Sequence, residues 1–211
     1  TDYKRSLDLD AAMAVTEFTH AGTRFRREVF ASWPAQVIVI RLTASTPGKL
    51  SMSVGLTSPH AGASVTVGAN SITLTGAPAA SAIRFEARLL ASVGGGKQSV
   101  DGNRVSVENA TSATLILTGA TNFKSFREVT ADPAARNRET LAKIASQPYE
   151  RMRAAHLADH QRLFRRVALS ARGPNGRMVL RAYPAAGLMY HEPISWPFRR
   201  YRSALSPTPA R

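Results

Sequence analysis

Ten short segments, rich in valine, isoleucine, threonine and phenylalanine, follow one another between residues 3 and 120 with no helical stretch between them. That succession constrains the fold more than any other feature of the chain. "SLDLD", "MAVTEFT", "TRFRREVF", "QVIVIRLT", "KLSMSVGL", "ASVTVG", "SITLTG", "AIRFEARLL", "NRVSVEN" and "ATLILTGAT" have strand length and are parted by turn residues. His20-Ala21-Gly22, Pro47-Gly48 and Asp101-Gly102-Asn103 stand where hairpins turn. Ile83, Phe85, Ala87 and Leu89 fall on one face of their strand and Arg84, Glu86 and Arg88 on the other, the pattern of a half-buried antiparallel strand with a solvated polar side. "VIVI" and "LIL" have no polar alternation and should lie centrally. So many strands without intervening helices predict a mainly β fold, an antiparallel β-sandwich, over residues 1–128.

The period then changes. Asp132-Pro133 combines an N-cap carboxylate with a proline suited to the first helical position, so "DPAARNRETLAKIASQ" reads as a helix. A second helix opens after Pro148, with Glu150 in its first turn, where the helix dipole favours an anion. Tyr149, Met152, His156, Leu163, Phe164 and Val167 recur at helical spacing as an apolar stripe. Residues 129–171 are thus a helical linker, and the stripe is expected to be largely exposed as a docking surface. Residues 172–211 have no period and hold six of the twelve prolines, which reads as a disordered or out-of-frame tail.

The net charge of +14 raises the question of nucleic acid. Seven arginines against one glutamate after Ala171 place +6 in the tail, and the other +8 is spread over the preceding residues. Basic residues alternate with apolar ones in strands (Arg24, Arg26, Arg84, Arg88) and do not interleave with aromatics into a stacking platform, so no nucleic-acid partner is expected. No run approaches the roughly 18 apolar residues of a membrane span, so no membrane partner is expected either. The chain has no cysteine, which excludes disulfides and thiolate metal sites. The opening "TDYKRSLDLD" lacks the basic-then-apolar design of a signal peptide and reads as a start within a longer protein, which leaves localisation open.

Candidate sites are few. His156 and His160 stand at i and i+4 with Asp159 between them, but no third ligand is apparent and His156 lies on the apolar stripe. They read as helix-interface histidines, with no metal and no cofactor. Gly94 to Lys97 resembles a phosphate loop, yet Ala91 and Gln98 occupy its other key positions, so it reads as a plain loop. Among the carboxylates, Glu17, Glu28 and Glu86 fall on polar strand faces and Asp132 caps a helix, and none suits a sugar cleft. Ser58, His60 and His20 do not form a convincing triad. Asn109-Ala110-Thr111 fits a glycosylation sequon. Trp33, before Pro34, is the one aromatic placed to stack on a sugar, and a turn aromatic packed on the core edge is the reading preferred for it. No catalytic residue is expected in the chain.

Three segments in order resemble a known family. They are "YKRSLDLDAAMAVTEFTHAGTRFRREVFASWPAQVIVIRLTAS", then "SAIRFEARLL" with "TLILTGATNF", then "DPAARNRETLAKIASQPYERMRAAHLADHQRLFRRVALS". They resemble the N-terminal domain of glycoside hydrolase family 95, the α-L-fucosidase type. Its Tyr-x-Arg-x-Leu-Asp-Leu strand is matched by Tyr3, Arg5, Leu7, Asp8 and Leu9, and its Arg-Glu-x-Phe-Ala-Ser by Arg27, Glu28, Phe30, Ala31 and Ser32. Its helical close is matched by His156, Asp159, Leu163, Phe164, Arg166 and Val167, with His160 where the family has tyrosine. The resemblance implies a β-sandwich, helical linkers and then a catalytic helical toroid that carries the acid and base. No position here matches those residues, and the family's opening strands are also unmatched. The chain is therefore expected to be a non-catalytic piece of a fucosylated-glycan hydrolase, whose missing helical domain would dock on helices 132–167. A freestanding carbohydrate-binding β-sandwich with glycan as partner is the alternative.

Overall fold

The computed structural model describes residues 1–170 and 179–182, with side chains described through Arg166. Residues Thr1–Arg165 form one compact unit and Arg166–Arg211 a second. In the first, eleven strands precede two helices: β1 (Lys4–Asp8), β2 (Met13–His20), β3 (Thr23–Ser32), β4 (Val37–Ala44), β5 (Leu50–Val54), β6 (Ser64–Gly68), β7 (Ser71–Gly76), β8 (Phe85–Gly94), β9 (Lys97–Asp101), β10 (Arg104–Ala110), β11 (Ser112–Thr121), α1 (Pro133–Ile144) and α2 (Tyr149–Phe164).

Eight strands make one antiparallel sheet in the order β1-β2-β3-β4-β11-β8-β7-β6, and β5-β10-β9 make a second sheet. The predicted sandwich is thus present, with unequal layers. Leu50, Met52, Val105, Val107 and Ala110 of the small sheet pack on Ala44, Ile72, Leu89, Ala113 and Leu115 of the large one. Both helices lie on the opposite face of the large sheet. There Ile144 and Met152 close over Met13, Phe30, Val37 and Val39. The strands β4 and β11, which carry "VIVI" and "LIL", are neighbours at the centre. Val39 is buried towards the helices while Ile40 and Leu42 pack on the small-sheet side, so hydrophobic residues are needed on both faces.

Two details at the strand ends follow from local chemistry. The β2–β3 connection is the two-residue turn Ala21-Gly22, both with positive φ, as a tight hairpin requires. Where the chain crosses from β8 to β9, Gly96 has φ +71, and a Cβ there would collide with the backbone of Glu108 and Ala110. That backbone is a β-bulge in which Asn109 takes φ +53, a conformation asparagine tolerates. Gly94 to Lys97 is thus a sheet-to-sheet crossing. Pro47-Gly48 is likewise a crossing, from β4 to β5, and not the hairpin turn expected of it.

Other expectations are corrected. The strand β9 was not legible, because "KQSVD" carries a single large hydrophobic residue, Val100, which stays exposed. The polar side of β8 is not solvated, because α1 covers it and Glu86 is 6 % exposed. The helix stripe is not left open along its length. Met152 and His156 are buried against the protein's own sheet, and among the stripe's described side chains Leu163 and Phe164 near its end are exposed. An amphipathic helix shows which face wants cover, and here the sheet supplies the cover for most of it.

In the second unit, Val167–Ser170 (β12) and Val179–Ala182 (β13) pair as an antiparallel hairpin. The sequence reading placed no element after residue 172, and β13 is one. The rest of the expectation for 172–211 lies outside the described residues.

Candidate functional site

The carboxylates are the first place to look for chemistry, and in the first unit Glu17, Glu28 and Glu86 are committed to structure. Arg26 bridges Glu17 at 2.7 Å and Glu28 at 3.0 Å across β2 and β3. Tyr149 of α2 donates its hydroxyl to Glu28 at 2.9 Å, and Arg41 stands over the Tyr149 ring. Burial works to raise the Glu28 carboxyl, but the bonds from Arg26 and Tyr149 outweigh it and hold it below the ordinary range. The same burial, with the Glu28 charge beside it, pushes the Tyr149 phenol upward.

Glu86 is clamped by Arg88 Nε at 2.5 Å and by the Asn137 amide, which donates to its backbone oxygen at 3.0 Å and its Oε1 at 3.1 Å. Thr118 donates to the Asn137 Oδ1 at 3.2 Å, which completes a buried polar junction between α1, β8 and β11. Asp132 caps α1 by accepting from the Ala134 amide at 2.9 Å. The Arg165 guanidinium beside Asp10, helped by Gln161, lowers that carboxyl, and Lys124 and Lys143 lower Glu128 and Glu139. A glycosidase acid needs its pKa raised. All four carboxyls displaced here move the other way.

The two helix histidines serve packing. His156 Nε2 lies 2.9 Å from the Ala11 carbonyl and its ring stacks on Phe30, while His160 Nε2 lies 2.8 Å from the Leu9 carbonyl and stacks on Phe164. A carbonyl only accepts, so each Nε2 carries a proton and is unsuited to hold a metal in this arrangement. Asp159 turns to Arg162 instead. No group of three or more histidine, aspartate or glutamate side chains is placed to hold an ion among the described residues. No helix among them is long and apolar enough to cross a membrane. Ser58 accepts from the His60 amide, the His60 ring lies against Phe85, and His20 ends β2, so these three do not assemble. Asn109 is exposed in its bulge.

What the structure does bring together is a set of exposed apolar side chains. Trp33 is 75 % exposed and does not pack on the core edge as expected. Its turn is held by the Gln36 side chain, which donates to the Trp33 carbonyl at 2.8 Å, and by the Ala35 amide on Ser32. Beside it lies a depression of about 440 Å³ lined by Ala31, Ile38, Ala87 and Leu117. The strand β11 runs antiparallel to β4, so its C-terminal end emerges at this same edge. The loop that follows carries Phe123 and Phe126, the latter 83 % exposed beneath the Arg127 guanidinium. Asn122 fixes the base of that loop. It is buried, donates to the carbonyls of Ala82 and Val129, and accepts from the Arg84 amide. Arg136 of α1 adds bonds to the carbonyls of Thr121 and Phe123. Sequence reasoning missed Asn122, Asn137 and the two phenylalanines. The available signal was "ATNFKSF", where aromatic residues stand in a loop outside any alternating pattern.

Comparison with known proteins agrees with this architecture. Residues 1–126 match the model of the glycosyl hydrolase family 65 N-terminal domain. The chain is 31 % identical over 199 residues to alpha-L-fucosidase 2 of Arabidopsis thaliana, a match covering 81 % of this chain and 24 % of that protein. It is 28 % identical over 222 residues to the probable alpha-fucosidase A of Aspergillus niger, covering 94 % of this chain and 28 % of that one. The chain therefore spans about a quarter of the length of the curated relatives it matches. A putative kojibiose phosphorylase from human microbiome shares the fold, with a TM-score of 0.60 at 12 % identity over 81 % of this chain and 26 % of that one. With its eleven-stranded sandwich lying within the matched residues, the chain belongs to the glycosyl hydrolase family 65 N-terminal domain family.

Proposed function

We propose that this chain is the supporting β-domain of an α-L-fucosidase-type glycoside hydrolase and has no hydrolytic activity of its own. The observation that carries the reading is the state of its carboxylates. Inverting hydrolysis needs a protonated acid and an ionised base on opposite sides of a sugar, about 6.5–9.5 Å apart. Here Glu17, Glu28 and Glu86 are tied to Arg26, Arg88 and Asn137, and every displaced carboxyl among the described residues is lowered. The acid and base would be supplied by a helical catalytic domain packed against the region of residues 132–167, on the helix surface that the sheet leaves open. The purified chain, assayed against a chromogenic α-L-fucoside, is expected to show no turnover above buffer. Turnover that survives repurification would overturn the reading.

The exposure of Trp33 favours a second reading, a freestanding carbohydrate-binding module, since an open indole is what a sugar face stacks on. Binding of a fucosylated oligosaccharide that is lost in Trp33→Ala would establish it.

A further inference from the structure

The helix face of the large sheet is not covered evenly. Where α1 gives way to α2 it holds a groove of about 800 Å³, inside the range of small-molecule sites, about 300–1,000 Å³. Leu90 and Ile116 of the sheet and Leu141 and Ala142 of α1 supply its apolar walls. Its polar floor is one row across three strands, because Arg41 is in register with Thr114 and Thr114 with Ser92. Thr114 is buried, and its hydroxyl accepts from the Arg41 guanidinium at 2.6 Å, which leaves the hydroxyl hydrogen free to donate. The same guanidinium stands over the Tyr149 ring. A guanidinium drawn off the surface is ordinarily met by a carboxylate. Arg41 has no such partner among the described residues, because Glu28, its register neighbour on β3, is turned to Arg26 and Tyr149. The other cations of the groove are committed, Arg88 to Glu86 and Arg138 within 3.7 Å of Asp132. Glu150, exposed at the start of α2, is the acid on the wall.

We propose that this groove binds a carboxylate-bearing sugar, with the carboxylate on Arg41 and the ring against Leu90, Ile116 and Leu141. The guanidinium is a planar fork whose Nη1 is held by Thr114, so its direction is set before a ligand arrives. A carboxylate matches such a fork with two parallel bonds. The floor row of Arg41, Thr114 and Ser92 is rich in donors and has no acceptor beyond its hydroxyl oxygens, so negative charge is what fits it. The apolar walls favour a ring with a C–H face over a bare ion. Asn70 and Gln147 also line the groove and carry amides able to meet sugar hydroxyls. The carbohydrate part of the inference rests on the glycan reading above, and the anionic part on Arg41.

The test is calorimetric titration of the full chain at low salt with D-glucuronate, beside D-glucose, acetate and inorganic phosphate. Glucuronate is expected to saturate with a Kd of about 1 mM or below, and glucose and acetate to bind about tenfold more weakly. Arg41→Met should weaken glucuronate binding about tenfold or more, since it removes a charge-assisted pair. Arg41→Lys should recover part of that loss, because it restores the charge without the fork. Circular dichroism checks that each variant is folded. Should Arg41→Met not fold, Ala142→Trp fills the groove from an exposed helix position with Arg41 in place, and is expected to abolish saturation. Arg5→Met, on the exposed strand β1, removes the same charge elsewhere and should leave binding unchanged, which controls for the general pull of a +14 chain on anions. Glucuronate that does not saturate by about 10 mM overturns the proposal, as does equal weakening by Arg5→Met and Arg41→Met. Acetate or phosphate binding as tightly as glucuronate makes the groove a plain anion site and overturns the sugar. Glucose binding as tightly overturns the carboxylate. None of these outcomes touches the supporting-domain reading, which fucoside turnover decides.

Discussion

The large sheet has a centre and a flank that are built by different rules. In β4, β11 and β8 both faces are covered, by the small sheet on one side and the helices on the other. In β2 and β3 the face beneath α2 is closed and the other is covered only in part, while all five residues of β1 are exposed. On the other side Leu7 stays 64 % exposed, Phe18 37 % and, at the edge of β4, Ile38 39 %. Sheets pack about 10 Å apart and strands about 4.8 Å, so three strands cannot roof eight. The small sheet ends at β5, an edge strand, and the roof stops with it. The lesson is that burial on this sheet is set by what lies above each strand more than by hydrophobicity. Phe30 is 2 % exposed and Leu7, two strands away, is not buried at all.

That difference can be measured. Phe30 sits under α2 against Met152 and His156, so Phe30→Ala is expected to cost about 3–5 kcal/mol. A loss below 1 kcal/mol in urea unfolding would mean that α2 does not hold the flank closed. The next effect is electrostatic. Glu28 binds its proton less readily folded than unfolded, so its contribution is present above the unfolded carboxylate pKa and is lost as pH falls through the depressed folded value. Glu28→Gln should therefore cost about 1–2 kcal/mol at pH 7, and the gap to the parent chain should shrink on acidification towards pH 3. A gap that stays constant would remove Glu28 from the account of how α2 is held. The smallest effect is expected on the unroofed side, where Leu7→Ser should change stability by no more than about 0.5 kcal/mol. A cost several times larger would show that this face is covered in solution, by a second copy or by another part of the protein, and chemical cross-linking would then separate the two.

The sandwich was legible because turn residues and alternation are local signals, and because "VIVI" can sit only where both faces are dry. The helix start at Asp132 was legible for the same reason, since the cap is contained within three residues. The assignment of faces was not. Arg84, Glu86 and Arg88 look in sequence like a solvated edge, and Glu86 is buried because Asn137, 51 residues later, arrives to satisfy it. A polar residue written into a strand has the same appearance whether water or a helix will meet it. The exposed aromatics Trp33, Phe123 and Phe126 escaped notice because they come from separate connections, and only the strand registers bring them to one edge.

The junction of Thr118, Asn137 and Glu86 has a consequence for whatever follows the sandwich. Apolar helix faces can slide over a sheet at modest cost, since one methyl group is much like the next. A helix pinned by an amide that bonds simultaneously to a strand carbonyl, a carboxylate and a threonine hydroxyl cannot. Moving α1 by one turn, about 5.4 Å, would strand Asn137 without partners in a dry layer and leave Glu86 with Arg88 alone, at a cost of several bonds. The helix is thereby indexed to its sheet like a gear tooth in its slot. The direction in which the chain leaves α1 towards α2 is fixed by that one amide as much as by the apolar contacts around it.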